Sequence, residues 1–139
     1  MVKDGKVKEY DNNDNLIFEG AYLNGSRNGK GKEYYYGNLK FEGEYLNGER
    51  NGKGKEYDYD GKLIFEGEYI NGKRWNGKGK EYDYIGRLIF EGEYLNGKRN
   101  GKGKEYDYEG NLIFEYPKIL IFFFAHFSTS SINFFSSSG

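Results

Sequence analysis

The 139-residue chain contains no cysteine, which excludes disulfides and thiolate metal centres and suits a reducing compartment. It has a single proline and a single histidine. That histidine, His126, stands outside the region that carries the chain's pattern, so no Ser-His-Asp triad or histidine metal cluster can be assembled there. An excess of one charge is also missing. Lys and Arg number 21 against 22 Asp and Glu, a formal net charge of -1, so no global attraction to nucleic acid is expected. The residues after Met1, Val2-Lys3-Asp4-Gly5-Lys6, contain no apolar run of the kind found in secretory leaders. An intracellular, cytoplasmic location is therefore expected, with attachment to membrane or cytoskeleton left open. No apolar period of 3.6 residues appears, and glycine is too frequent for helix.

What is abundant is glycine, with 22 residues, alongside 15 tyrosines, 11 phenylalanines and one tryptophan. Disordered chains are poor in aromatics, so the glycines must have assigned places. A repeat assigns them. The tetrad Phe-Glu-Gly-x begins at Phe18, Phe41, Phe65 and Phe90, with a broken copy at Phe114, at steps of 23, 24, 25 and 24 residues. One full unit runs from Phe41 to Ile64, and Gly5 to Ile17 matches the second half of a unit. Residues 1–115 thus read as one partial and four full repeats, and 116–139 as a divergent tail.

Each unit reads as a β-hairpin, and the units as a continuous antiparallel meander: an all-β, elongated, twisted sheet. Strands are expected over Leu39 to Leu46 and Lys53 to Tyr59, with Asn47-Gly48 and Asn51-Gly52 bracketing one loop and Asp60-Gly61 forming a two-residue hairpin turn. A six-residue loop from Asn47 to Gly52 sets Leu46 opposite Lys53, Tyr45 opposite Gly54, Glu44 opposite Lys55 and Gly43 opposite Glu56. Aromatic then lies over glycine and acid beside base, both favourable pairings. One face carries Phe41, Gly43, Tyr45 and Gly54; the other carries Glu42, Glu44, Lys53, Lys55, Tyr57 and Tyr59. The same structural positions recur as Phe65, Gly67, Tyr69 and Gly79, and as Phe90, Gly92, Tyr94 and Gly103. Two units differ in length: one is short by a residue at Tyr35-Tyr36-Gly37, and one is long because Trp75 is inserted after Arg74. A one-residue slip inside a strand reverses every later side chain, so both changes are expected in turns.

The run Phe65-x-Gly67-x-Tyr69-x-x-Gly72, then Gly77-x-Gly79, then Gly86, resembles the MORN (membrane occupation and recognition nexus) repeat. The pattern holds equally from Phe18, Phe41 and Phe90 and covers roughly Gly5 to Glu115, with Phe where the family often has Tyr. The resemblance implies an extended twisted sheet of hairpins. It also implies a role like that of arrays in membrane-junction, cytoskeletal and cell-division scaffolds, for which lipid head-group binding is often proposed. Such arrays also accompany catalytic domains, including phosphoinositide kinases and a lysine methyltransferase; no such domain is present here.

Runs such as Gly52-Lys53-Gly54 and Gly77-Lys78-Gly79 lack the Gly-Lys-Ser/Thr end and following helix of a phosphate loop and read as structural. Repeated acid pairs such as Glu66/Glu68 and Glu91/Glu93 read as a surface ladder, because an enzyme concentrates unlike groups while an array copies one surface. Neither catalytic residues, metal ligands nor a cofactor are expected. The candidate interaction residues are basic: Lys73, Arg74, Lys78, Lys80, Lys98 and Arg99, with Arg27 and Arg50 in the corresponding positions. They read either as an electropositive stripe for anionic head groups, worth about 1 kcal/mol per cation near such a surface, or as a solvated edge neutralised by neighbouring Glu. Trp75 reads as an interface anchor or as a ring folded back over its own hairpin. In the tail, Pro117 breaks the pattern and Ile119 to Phe127 is too short to span a bilayer. It reads as an anchor or dimer strand, a cap, or an aberrant end, the abrupt change in composition favouring the last. The expected function is non-catalytic, multivalent binding of a protein or a membrane surface. The alternatives are a peripheral protein binding anionic phospholipids such as phosphoinositides, and a detached regulatory fragment of an enzyme such as a phosphoinositide kinase. Open sheet edges also permit self-association.

Overall fold

The computed structural model describes residues 2–116; the tail from Pro117, with the readings made of it, lies outside the described residues. Among the described residues ten strands form one antiparallel sheet in sequence order: β1 (Gly5–Tyr10), β2 (Leu16–Leu23), β3 (Ser26–Tyr35), β4 (Asn38–Leu46), β5 (Glu49–Tyr57), β6 (Leu63–Ile70), β7 (Lys73–Tyr82), β8 (Leu88–Leu95), β9 (Lys98–Tyr106) and β10 (Leu112–Tyr116). The all-β meander expected from the repeat is therefore the architecture.

The turns correct the expected register. Asn47 and Gly48 both adopt positive φ, 51° and 90°, and close a two-residue turn by themselves. That geometry matches the right-handed twist of the flanking strands, so the first Asn-Gly wins the turn. Asn51-Gly52 lies inside β5, where the three residues between Arg50 and Gly54 stand against the single residue between Tyr45 and Gly43 and bulge. Gly43 therefore faces Gly54, not Glu56; Glu42 faces Lys55, Phe41 faces Glu56, and Tyr45 faces Arg50 rather than Gly54. The displacement is two residues, so each side chain keeps its face. Asp60-Gly61 is not a two-residue turn either. Residues 58–62 form a loop in which Asp58 Oδ1 accepts the N–H groups of Asp60 and Lys62, both at 2.9 Å. Residues 11–15, 83–87 and 107–111 repeat this device.

Of the two length changes, the short one sits in a turn as expected: Tyr36-Gly37 connects Tyr35 directly to its partner Asn38. The long one does not. Trp75 lies within β7 as the unpaired residue of a bulge between the Tyr69–Arg74 and Glu68–Asn76 pairs. Adding it to the two-residue bulge of the other hairpins would make an odd excess of three. Instead the bulge shrinks to one residue and β7 slides by two along β6, so Gly67 faces Gly77 and Phe65 faces Gly79. Normal register resumes with β8, where Gly79 faces Gly92. A two-residue slide displaces the later hairpins by roughly 7 Å along the strands.

This slip predicts the outcome of deleting Trp75. The deletion returns the hairpin to the length of its neighbours, so Gly67 should face Gly79. Nuclear Overhauser contacts between the Hα atoms of Gly67 and Gly77 are expected in the parent chain and between Gly67 and Gly79 in the deletion variant. Retention of the parent contact would disprove the insertion as the cause of the slip.

The core is one row of rings on one face. Phe18, Phe41, Phe65 and Phe90 are at most 1% exposed, and Tyr45, Tyr69 and Tyr94 are buried with them. Successive rings meet edge to face, as in Phe18–Tyr45 (5.2 Å between centres), Phe41–Tyr69 (5.1 Å) and Phe65–Tyr94 (5.6 Å). The glycines make room for them. A Cβ on Gly54 would lie 2.6 Å from the Phe41 ring, and one on Gly43 would lie 2.5 Å from Lys53 O. In β1 the corresponding position is Val7, facing Gly20, where no preceding strand supplies a phenylalanine.

Candidate functional site

A single sheet needs a cover over its core, and here charged side chains supply it. The guanidinium of Arg50 lies 4.1 Å from the centre of the Phe41 ring. It also donates to Glu33 through Nε (2.8 Å) and Nη2 (3.1 Å), and Glu33 accepts the Tyr45 hydroxyl as well. The same triad recurs as Arg27–Glu9–Tyr22, Arg74–Glu56–Tyr69 and Arg99–Glu81–Tyr94, with Arg27, Arg74 and Arg99 over Phe18, Phe65 and Phe90. Each Glu comes from the hairpin before its Arg, so the layer ties neighbouring units together. Burial disfavours the Glu33 and Glu56 carboxylates, but hydrogen bonds from Arg and Tyr outweigh it and hold them below the usual range. For Glu9 and Glu81 the arginine hydrogen bond is the largest influence and acts in the same direction. Burial, reinforced by the Glu partner, raises the tyrosines, Tyr94 to about 12 and Tyr45 and Tyr69 further.

These shifts predict a stability plateau with two edges. Depressed carboxylates contribute stability that is present above their unfolded pKa, about 4.3, and is lost as pH falls through the folded value. Raised tyrosines contribute stability that is present below about pH 10 and is lost as pH rises toward the folded value. Tyr94 should lose its contribution progressively as pH rises from about 10 toward about 12. Urea melts at pH 4, 7, 9 and 11, followed alongside tyrosinate absorbance, should show unfolding and tyrosine ionisation together at the alkaline edge. Full ionisation of these tyrosines in a still folded chain would contradict the triad.

The opposite face is open and forms a groove of about 1080 Å³ across β1–β6. Its floor is a row of directly facing glycines, Gly20, Gly31, Gly43, Gly54 and Gly67, flanked by Lys and Glu side chains. Along one wall the facing residues alternate in charge: Lys8, Glu19, Lys32, Glu42, Lys55, Glu66 and Lys78. Among the described residues, one pair on this face reaches ion-pair distance, Lys55 Nζ to Glu66 Oε2 at 3.9 Å. The slip at Trp75 interrupts the glycine floor, and a second groove of about 650 Å³ follows over Gly79, Gly92 and Gly103.

A family model of the MORN repeat matches residues 18–39, 41–62, 65–86 and 90–112. The chain belongs to the MORN repeat family. No match was found among curated proteins. The matched segments begin on Phe18, Phe41, Phe65 and Phe90, the residues that open each unit of this MORN array.

The structure distributes the candidate interaction residues over three places. Arg74 and Arg99 belong to the closed layer, paired with Glu56 and Glu81. Lys78 and Lys80 are exposed on the groove face, Lys78 between Glu66 and Glu93 and Lys80 opposite Glu91. Lys73 and Lys98 are exposed at the first residues of β7 and β9, on the Asn-Gly turn edge. Trp75 lies over the turn of the next hairpin rather than its own, half-buried, with its ring 3.2 Å from where a Gly97 Cβ would stand. Its carbonyl accepts the Gly97 N–H at 2.9 Å, as Arg27 and Arg50 do for Gly48 and Gly72. Sequence reasoning missed Glu9, Glu33, Glu56 and Glu81. Their signal was a constant interval, since each stands 17 or 18 residues before its arginine. Among the described residues no helix is long and apolar enough to cross a membrane.

Proposed function

We propose that this MORN array is a non-catalytic docking scaffold that holds an elongated protein segment of mixed charge in its glycine-floored groove. The groove itself carries the reading. Bare backbone lets a partner approach closely along the floor, and the alternating Lys and Glu of the wall offer both signs of charge at a fixed step. Identical weak contacts repeated along one partner then add through effective concentration. Membrane association is the second reading, favoured by Lys73 and Lys98 standing exposed on one edge. It has fewer free cations than the sequence suggested, because the arginines are committed to the core layer.

A photo-crosslinker placed at Lys30 or Lys32 in the groove, and separately at Lys73 on the turn edge, tests the first reading. A polypeptide cross-linked from the groove and lost on Lys53→Glu/Lys55→Glu substitution supports it. Salt-sensitive sedimentation with phosphoinositide vesicles, abolished by Lys73→Ala/Lys98→Ala and accompanied by no groove adduct, would overturn it in favour of the membrane.

A further inference from the structure

The loop edge of the sheet carries an exposed row that neither the core nor the groove uses. Tyr36, Tyr59, Tyr84 and Tyr108 stand there one per unit, all mostly exposed, Tyr84 by 95%. Large exposed rings repeated along one edge mark an interaction surface. The setting of Tyr59, Tyr84 and Tyr108 is acidic, which the near-zero net charge of the chain conceals. The loops 11–15, 58–62, 83–87 and 107–111 hold seven carboxylates and two bases, Lys62 and Arg87. Backbone hydrogen bonds that hold the loops also hold the Asp11, Asp83 and Asp107 carboxyls below their usual range, so these remain charged.

Arg87 shows how such an edge takes a cation. Its Nε donates to Asp83 Oδ2 at 2.8 Å, its Nη1 donates to the Tyr108 carbonyl at 3.3 Å, and its guanidinium lies 5.6 Å from the Tyr108 ring centre. One guanidinium thus bridges two consecutive loops. At the preceding step Lys62 takes the place of Arg87, and among the described residues no cation lies over Tyr84. A planar guanidinium both stacks on a ring and forks its donors, which an ammonium does not.

We propose that the loop edge docks an arginine-rich segment of a partner protein, with one guanidinium set between consecutive loops in the manner of Arg87. Consecutive loops are two strands apart, roughly 10 Å, and the slide at Trp75 sets loop 83–87 roughly 7 Å further along the strands than loop 58–62. A polyproline II segment has three residues per turn and rises about 3.1 Å per residue, so arginine at every third position returns to the same side about every 9 Å. Nucleic acid and anionic membrane share the sign of this edge and are repelled by it. The proposal does not rest on the groove.

The probe is a labelled peptide of four Arg-Ser-Ser units, followed by fluorescence anisotropy against the intact chain. Binding at least fivefold tighter than for the Lys-Ser-Ser counterpart is expected. Tyr59→Ala/Tyr84→Ala should weaken it about tenfold, with Tyr59→Phe/Tyr84→Phe retaining most of the affinity. Arg87→Ala should strengthen it by opening a further step, whereas Lys73→Ala, which removes the same charge from the opposite edge, should not. Lys53→Glu/Lys55→Glu in the groove should leave it unchanged, which separates this site from the groove reading. Equal binding of the two peptides overturns the proposal, and that comparison needs no variant. Concentration-dependent self-association of the chain, abolished by the tyrosine substitutions, would overturn it by assigning the edge to a second copy.

Discussion

Phe41→Ala should destabilise the array by about 3–5 kcal/mol, the range for removing a fully buried phenylalanine. Phe41 has no exposed surface. Its ring packs edge to face on Tyr45 and Tyr69, at 5.7 and 5.1 Å between centres, and carries the Arg50 guanidinium on its other side. The cavity cannot close easily, because its floor is the backbone of Gly43 and Gly54, with no side chains to move inward. A globular domain is stabilised by about 5–15 kcal/mol in total, so this is a large fraction of it. The loss should also be local at first. Each unit of a repeat array contacts its neighbours, so hydrogen exchange should accelerate in β4, β5 and β6 before the outer hairpins. Gly54→Val added to Phe41→Ala should recover part of the loss, since Val7 fills the equivalent place in β1. A urea midpoint of Phe41→Ala within error of the parent would show that the ring row is not the core.

Arg50→Ala should cost about 2–4 kcal/mol, somewhat below the 3–5 typical of breaking a fully buried ion pair, since Arg50 and Glu33 side chains keep 17% exposure each. The substitution removes the cover of the Phe41 ring and leaves Glu33 with one hydrogen-bond partner, Tyr45. The pH dependence distinguishes the two losses. In the parent, Glu33 is depressed because its hydrogen bonds outweigh burial. Without Arg50, burial meets only the Tyr45 hydrogen bond and the Arg27 charge, so the folded pKa of Glu33 rises relative to the parent. The stability that the parent gains from this group above about pH 4.3 is then reduced, while little is lost at lower pH. Arg50→Ala should therefore be less destabilised relative to parent at pH 4.5 than at pH 7 in paired urea melts. Arg50→Lys should fall between, because it keeps the charge without the bidentate fork. An equal loss at both pH values would mean that Arg50 acts through packing on Phe41 alone.

The sequence by itself determined which face each side chain takes. Phe41, Gly43 and Tyr45 alternate with Glu42 and Glu44, and a strand period of two permits no other division. It also determined that the units are hairpins of one meander, because an aromatic-glycine pattern at a 24-residue step recurs with turn residues between its copies. It placed the shortened unit at Tyr36-Gly37 for the same reason. What it left undecided is every choice among registers of equal parity. Both Asn47-Gly48 and Asn51-Gly52 carry turn chemistry, and either choice keeps the same faces. Only the twist of the assembled strands selects the first and sends the second into a bulge. The insertion at Trp75 is the same case at larger scale: parity forbids a one-residue slip but allows a two-residue slide, and packing of β7 on both neighbours decides it. The arginine layer, too, belongs to the tertiary structure. Arg50 and Glu33 stand 17 residues apart in different hairpins, and nothing local distinguishes Arg50 from the exposed lysines until the sheet brings a buried ring beneath it.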